Sequence, residues 1–100
     1  SRSGQADRAA LVETCIYVRD RATSKAIADH LARTLERVGV TEVRPNGVAF
    51  DASQHEAGGS APTDDPRLDG TIAAVEIPGY NDRGKVLRLP VVTVYRVGAR

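Results

Sequence analysis

The sequence predicts an α+β fold: an N-terminal helical segment of two helices, followed by a small antiparallel β head. Three observations predict it. Apolar residues recur with a helical period up to Val38, turn chemistry and short β-rich runs take over after Gly39, and Val, Leu, Ile and Phe supply 23 of 100 residues. That content is enough for a modest core and above the level of a disordered chain. With no Trp, no Met and a single Phe, the core is small, so help from oligomerisation is expected.

In the first helix, Leu11, Val12, Cys15, Ile16, Val18 and Ala22 fall mostly along one side, leaving Arg8, Glu13, Arg19 and Asp20 for solvent. Ile27, Leu31, Leu35 and Val38 form a second stripe, with Ala28 and Ala32 beside it, and Gly39 follows as the stop signal. Thr23 and Ser24 are suitable caps for a new helix, yet no Gly or Pro forces a break between Gln5 and Val38. A hairpin and one long rod both satisfy this pattern. Neither stripe closes a core alone. Pairing with a second copy as a four-helix bundle would bury Leu11, Cys15, Ile16, Ile27, Leu31 and Leu35, and folding back on the sheet is the alternative. The expected division is a helical dimerisation segment over 5–39 and a β head over 40–97.

Beyond Gly39, Val40 to Arg44 is expected to pair with Val48 to Phe50 through the Pro45-Asn46-Gly47 turn. Residues 51 to 70 show no apolar period, and Gly58 to Pro62 reads as a mobile loop. Three strands follow, Thr71–Ile77, Lys85–Leu89 and Val91–Tyr95, the first two joined through 78–84. Pro90 has no N–H for a ladder, so a kink is expected between the last two.

Charge and cysteine content exclude several function classes. The formal net charge is +1, which gives no general attraction for nucleic acid. It is unevenly spread: seven basic and five acidic residues over 1–40 (+2), two and six over 41–70 (−4), five and two over 71–100 (+3). No apolar run is long enough for a membrane span, and the lone Cys15 has no internal disulfide partner, so a reducing, cytoplasmic setting is expected.

Candidate chemistry concentrates in Asp51-Ala52-Ser53-Gln54-His55-Glu56, followed by Asp64 and Asp65. The spacing matches no zinc pattern, and His55-Glu56 lacks a second histidine four residues away, which leaves a metal-dependent hydrolase far behind. Structural use is favoured, with Asp51 capping a turn and His55 bonding to backbone. Cys15 lies on an apolar stripe and reads as packing. Gly79 and Gly84 flank a hairpin turn and make no dinucleotide fingerprint.

Taken in order, the segments Leu35-Glu36-Arg37-Val38-Gly39-Val40, Phe50-Asp51-Ala52-Ser53-Gln54-His55-Glu56-Ala57, Gly79-Tyr80 and Gly84-Lys85-Val86-Leu87-Arg88, closed by Val92 and Val94, resemble the GrpE family of nucleotide exchange factors for DnaK-type chaperones. The resemblance runs from about Ile27 to Tyr95. Ala52 stands where that family usually has Pro, Lys85 where it has Arg, and Leu89-Pro90 where Pro-Ala or two alanines are usual. The family's long N-terminal helix has no counterpart here, as expected of a trimmed chain or a short relative. The resemblance implies a homodimer without cofactor, metal or catalytic residues, whose β head binds the nucleotide-binding domain of the chaperone and promotes ADP release. By position, the partner contacts fall on Lys85, Glu76 and Val94, and the structural motif on Phe50, Asp51, His55, Glu56, Gly79, Tyr80 and Arg88. A GrpE-like dimeric adaptor that binds protein without exchanging nucleotide is the alternative.

Overall fold

The computed structural model describes residues 2–98 and divides the chain into two compact units, with the division between Thr41 and Glu42. The first unit is a helical hairpin, which resolves the choice between hairpin and rod. Helix α1 (Arg2–Arg21) stops at Ala22–Ser24, and α2 (Lys25–Arg37) begins from Ser24, whose hydroxyl oxygen accepts the Ile27 N–H at 3.3 Å. That cap satisfies one of the first-turn donors that a helix leaves open. Gly39, at φ 95°, turns the chain out of α2, and its N–H donates to the Glu36 carbonyl.

Two arginines of α1 tie it to the backbone of α2. The Arg8 guanidinium donates to the Val38 carbonyl at 2.7 Å, and Arg19 Nε donates to the Ala28 carbonyl at 3.0 Å. Val12, Ile16 and Leu35 are buried, whereas Leu11 and Val18 are exposed and Cys15 is half-buried. The buried stripe of α1 is thus narrower than the sequence pattern suggests, because one partner helix covers only part of a 3.6-residue period.

The second unit contains most of two three-stranded sheets. One has the order β1-β4-β5, built from β1 (Val40–Val43), β4 (Gly79–Asp82) and β5 (Lys85–Arg88). The other has the order β2-β6-β3, from β2 (Glu56–Thr63), β3 (Ile72–Ile77) and the central β6 (Val91–Val97). Its core is Ile72, Val92 and Val94, with Phe50 and Val75 packed against them.

Four sequence expectations are corrected here. Val48–Phe50 makes no hairpin with β1. It runs beside the start of β3 instead, through an isolated Ala49–Thr71 bridge and an Ile72 N–H to Val48 carbonyl bond of 2.9 Å. Residues 58–62 are no loop: they lie in β2, which pairs parallel with β6 from Glu56↔Val91 to Thr63↔Val97. The head is therefore mixed rather than purely antiparallel. Lastly, the expected connection 78–84 contains β4, which forms a hairpin with β5 through Arg83 and Gly84. The expected kink at Pro90 is present, where the chain leaves β5 of one sheet for β6 of the other.

Candidate partner-binding site

The motif residues lie in two groups that meet at Pro90. In the first, the Asp51 carboxylate accepts from the Ser53 N–H at 2.9 Å and from the Ser53 hydroxyl at 2.7 Å, closing a tight polar turn. These bonds, the hydroxyl's first, hold the Asp51 carboxyl below its ordinary value of 3.8. His55 is buried, and its Nδ1 accepts the Asp51 N–H at 3.0 Å. The ring therefore acts as an acceptor toward backbone on that side, and its centroid lies 5.9 Å from that of the Phe50 ring, the two planes tilted by 44°. Phe50 carries the turn onto the Ile72–Val92–Val94 core, while the Glu56 N–H donates to the Pro90 carbonyl at 2.9 Å and starts β2. His55 and Asp51 thus serve the turn, as the sequence predicts. Among the described residues, no three His, Cys, Asp or Glu side chains gather as a metal-holding set.

The second group forms the base of the β4–β5 hairpin. Gly79 packs so closely under Pro90 that an added Cβ would stand 2.7 Å from Pro90 Cδ and 2.8 Å from Pro90 N. Tyr80 is buried, the Arg88 guanidinium lies 5.1 Å over its ring, and Arg88 Nε donates to the Pro78 carbonyl at 2.9 Å. Together these contacts fix the hairpin from its root. At the other end Arg83 (φ 51°) and Gly84 (φ 86°) make a two-residue turn with both central residues left-handed, and Asp82 and Lys85 flank it. Lys85 is thereby held exposed at the hairpin's tip.

The three expected partner contacts lie on two different sheets. Lys85 belongs to the β1-β4-β5 sheet, whereas Glu76 and Val94 belong to the β2-β6-β3 sheet. Glu76 is exposed, and its carboxylate occupies the space where a Cβ would stand on Gly58, with Val91 Cγ1 at 2.6 Å from the same point. Val94 is 1% exposed on the central strand, which leaves it no surface for a partner; it is a core residue. Gly58, expected in a mobile loop, is instead a strand position with no room for a side chain.

On the helical unit, Leu11 is 68% exposed and Ile27 is exposed as well, Cys15 and Leu31 are half-buried, and Ile16 and Leu35 are buried. A shallow groove lined by Tyr17, Val18, Arg21, Ala22, Thr23, Ser24 and Ile27 runs beside the break between the helices. Arg21 covers the Tyr17 ring there at 3.6 Å. Among the described residues, no helix is long and apolar enough to cross a membrane.

Comparison with known proteins places this arrangement. The family model described as GrpE matches residues 22–96. Protein GrpE of Halobacterium salinarum is 45% identical over 67 residues, which are 66% of this chain and 30% of that protein. Protein GrpE of Methylobacterium nodulans is 36% identical over 96 residues, covering 85% of this chain and 42% of its own length. Protein GrpE of Limosilactobacillus reuteri is 32% identical over 68 residues, covering 68% and 36%. The chain spans between 30% and 42% of the lengths of these relatives. With α2, the β head as far as Arg96 and both motif groups inside the matched range, the chain belongs to the GrpE family.

Proposed function

We propose that this chain is an adenyl-nucleotide exchange factor that binds the nucleotide-binding domain of a DnaK-type chaperone through its β head and promotes ADP release. The observation that carries the reading is the family match, which spans the α2 helix and both sheets and includes the clamp that presents Lys85. Exchange of this kind needs no bond-making group. A partner opens a nucleotide cleft only by binding the open form more tightly than the closed one, and each roughly 1.4 kcal/mol of preference shifts the populations tenfold. A basic side chain on a hairpin anchored at its root suits that task, because little conformational freedom is lost on binding. Lys keeps the positive charge that Arg would bring there but not its two-pronged geometry, so the pairing with a carboxylate is a point contact.

In this reading the active species is a cytoplasmic homodimer. Its support is the apolar surface that the helical hairpin leaves uncovered, Leu11, Tyr17, Val18 and Ile27. The reading is tested by the release of a fluorescent ADP analogue from the DnaK-type chaperone of the same organism. The expected result is acceleration by the parent chain and several-fold less by Lys85→Ala, with the helical content unchanged. Binding without acceleration would replace exchange by the adaptor reading, and unchanged release with Lys85→Ala would remove Lys85 from the contact.

A further inference from the structure

Among the described residues β5 is an edge of the β1-β4-β5 sheet that joins exposed apolar side chains to basic ones, whereas the β3 edge sets its exposed Ile77 beside the acidic Glu76. Val86 is 54% and Leu87 42% exposed. From Arg83 to Arg88 the chain carries Arg83, Lys85 and Arg88 and no acidic residue. By contrast, β2 is built of small residues and carries Pro62, which has no N–H to offer.

The hairpin register fixes which backbone groups face outward. Asp82 and Lys85 flank a two-residue turn, so they form the hydrogen-bonded pair that closes it. Antiparallel pairs alternate along the ladder, so the next pair, Asn81 and Val86, is non-hydrogen-bonded, and the Val86 N–H and carbonyl point away from β4. Among the described residues no strand lies on that side, and the register shift between Asn81 and Tyr80 leaves Leu87 as the extra residue of a bulge next to Val86.

We propose that β5 is a strand-addition edge for an extended acidic segment of a partner protein, which pairs with the Val86 backbone and places carboxylates beside Lys85 and apolar side chains against Val86 and Leu87. Charge selects the occupant. A second copy of β5 would bring its own Arg83, Lys85 and Arg88 against the same residues, and opposed like charges disfavour such pairing. An acidic, apolar strand meets both features, with main-chain bonds supplying affinity and the flanking charges supplying selection. This inference uses the hairpin to which the proposed function assigns the chaperone contact through Lys85, and strand addition at Val86 is measured without chaperone or nucleotide, so the two readings fail separately.

The test uses the 100-residue chain and a fluorescein-labelled peptide that alternates Glu and Val, with a Lys and Val peptide as the charge control. Anisotropy gives the affinity, and amide hydrogen exchange gives protection at Val86. The expected results are saturable binding of the Glu and Val peptide, at least tenfold weaker binding of the Lys and Val peptide, and protection of the Val86 amide only in the complex. Val86→Pro removes the outward N–H while sparing the Asp82–Lys85 bonds, and should weaken binding at least tenfold, whereas Val86→Thr should bind within about threefold of the parent. Near-ultraviolet circular dichroism of both variants shows whether the hairpin is retained, and the Val86 protection of the parent chain stands independently of either variant. Absence of binding by the folded parent, binding with Val86 unprotected, equal binding of the two peptides, or protection of Val86 by self-association without peptide would each overturn the proposal.

Discussion

Replacing Gly79 by Ala places a methyl group where the hairpin root and the kink have no room for it. The new Cβ would meet Pro90 Cδ at 2.7 Å, Pro90 N at 2.8 Å and the Arg88 carbonyl oxygen at 3.0 Å, against ordinary contacts of 3.4–4 Å. All three are backbone or ring atoms, so no side chain can rotate aside. Overpacking of a filled site costs about 1–3 kcal/mol, and the rigidity of these neighbours puts Gly79→Ala near the upper end, about 3 kcal/mol. For a domain of this size each kcal/mol moves Tm by about 4–8 °C, which gives a fall of roughly 12–24 °C. Tyr80 and Tyr95 belong to the second unit, the third tyrosine, Tyr17, lies on α1 and the chain has no Trp, so a near-ultraviolet thermal scan in a Tyr17→Phe background reads the second unit. Gly47→Ala is the control: its Cβ would meet nothing within 4 Å, and only the left-handed backbone at φ +81° opposes it, at about 1–2 kcal/mol. A Gly79→Ala protein that melts within 3 °C of the parent, or together with Gly47→Ala, would refute the packing argument.

His55→Ala should lower stability by about 2–3 kcal/mol, because it leaves the Asp51 N–H without its acceptor and a void beside Phe50; urea unfolding checks it. The carboxyl of Asp51 is held below its ordinary value of 3.8 in the folded state, so its contribution is complete above that value and disappears as the pH falls through the lower folded one. Melting temperatures measured from pH 5 downward should therefore fall more for the parent than for Asp51→Asn, and parallel curves would contradict the assignment. Ser24→Ala removes the α2 cap and should cost about 1 kcal/mol, seen as loss of helical signal at lower temperature with the tyrosine transition of the head unchanged.

The elements most legible in the sequence were those whose own side chains are buried on one face. Leu35 with Gly39 marks α2 and its end, and the strands containing Ile72, Val92 and Val94 stand out because alternate residues enter the core. The Asp51–His55 turn was legible for a different reason: short polar side chains at that spacing have few partners other than nearby amides. β2 was illegible because Glu56–Thr63 buries almost nothing, and its strand character comes from backbone pairing to β6, not from its side chains. β4 was hidden by Asn81 and Asp82, whose turn propensity is overridden by the buried Gly79 and Tyr80. Val94 was assigned to a surface by position in the family motif, while alternation along β6 puts it inside with Val92.

The parallel pairing of β2 with β6 also sets an order of events. Glu56 meets Val91, so the chain must close a loop of about 35 residues before this pair exists, whereas the helical hairpin forms from neighbours in sequence. β6 is the central strand of its sheet and the last to be synthesised. Until it leaves the ribosome, β2 lacks the strand it pairs with and β3 has only the segment around Val48 beside it, and the exposed, small-residue composition of β2 keeps that waiting segment from seeking apolar partners elsewhere. Helical pairing can therefore precede completion of the head, and a nascent chain stalled before Val91 would carry its helices and the β4–β5 hairpin without the β2-β6-β3 sheet.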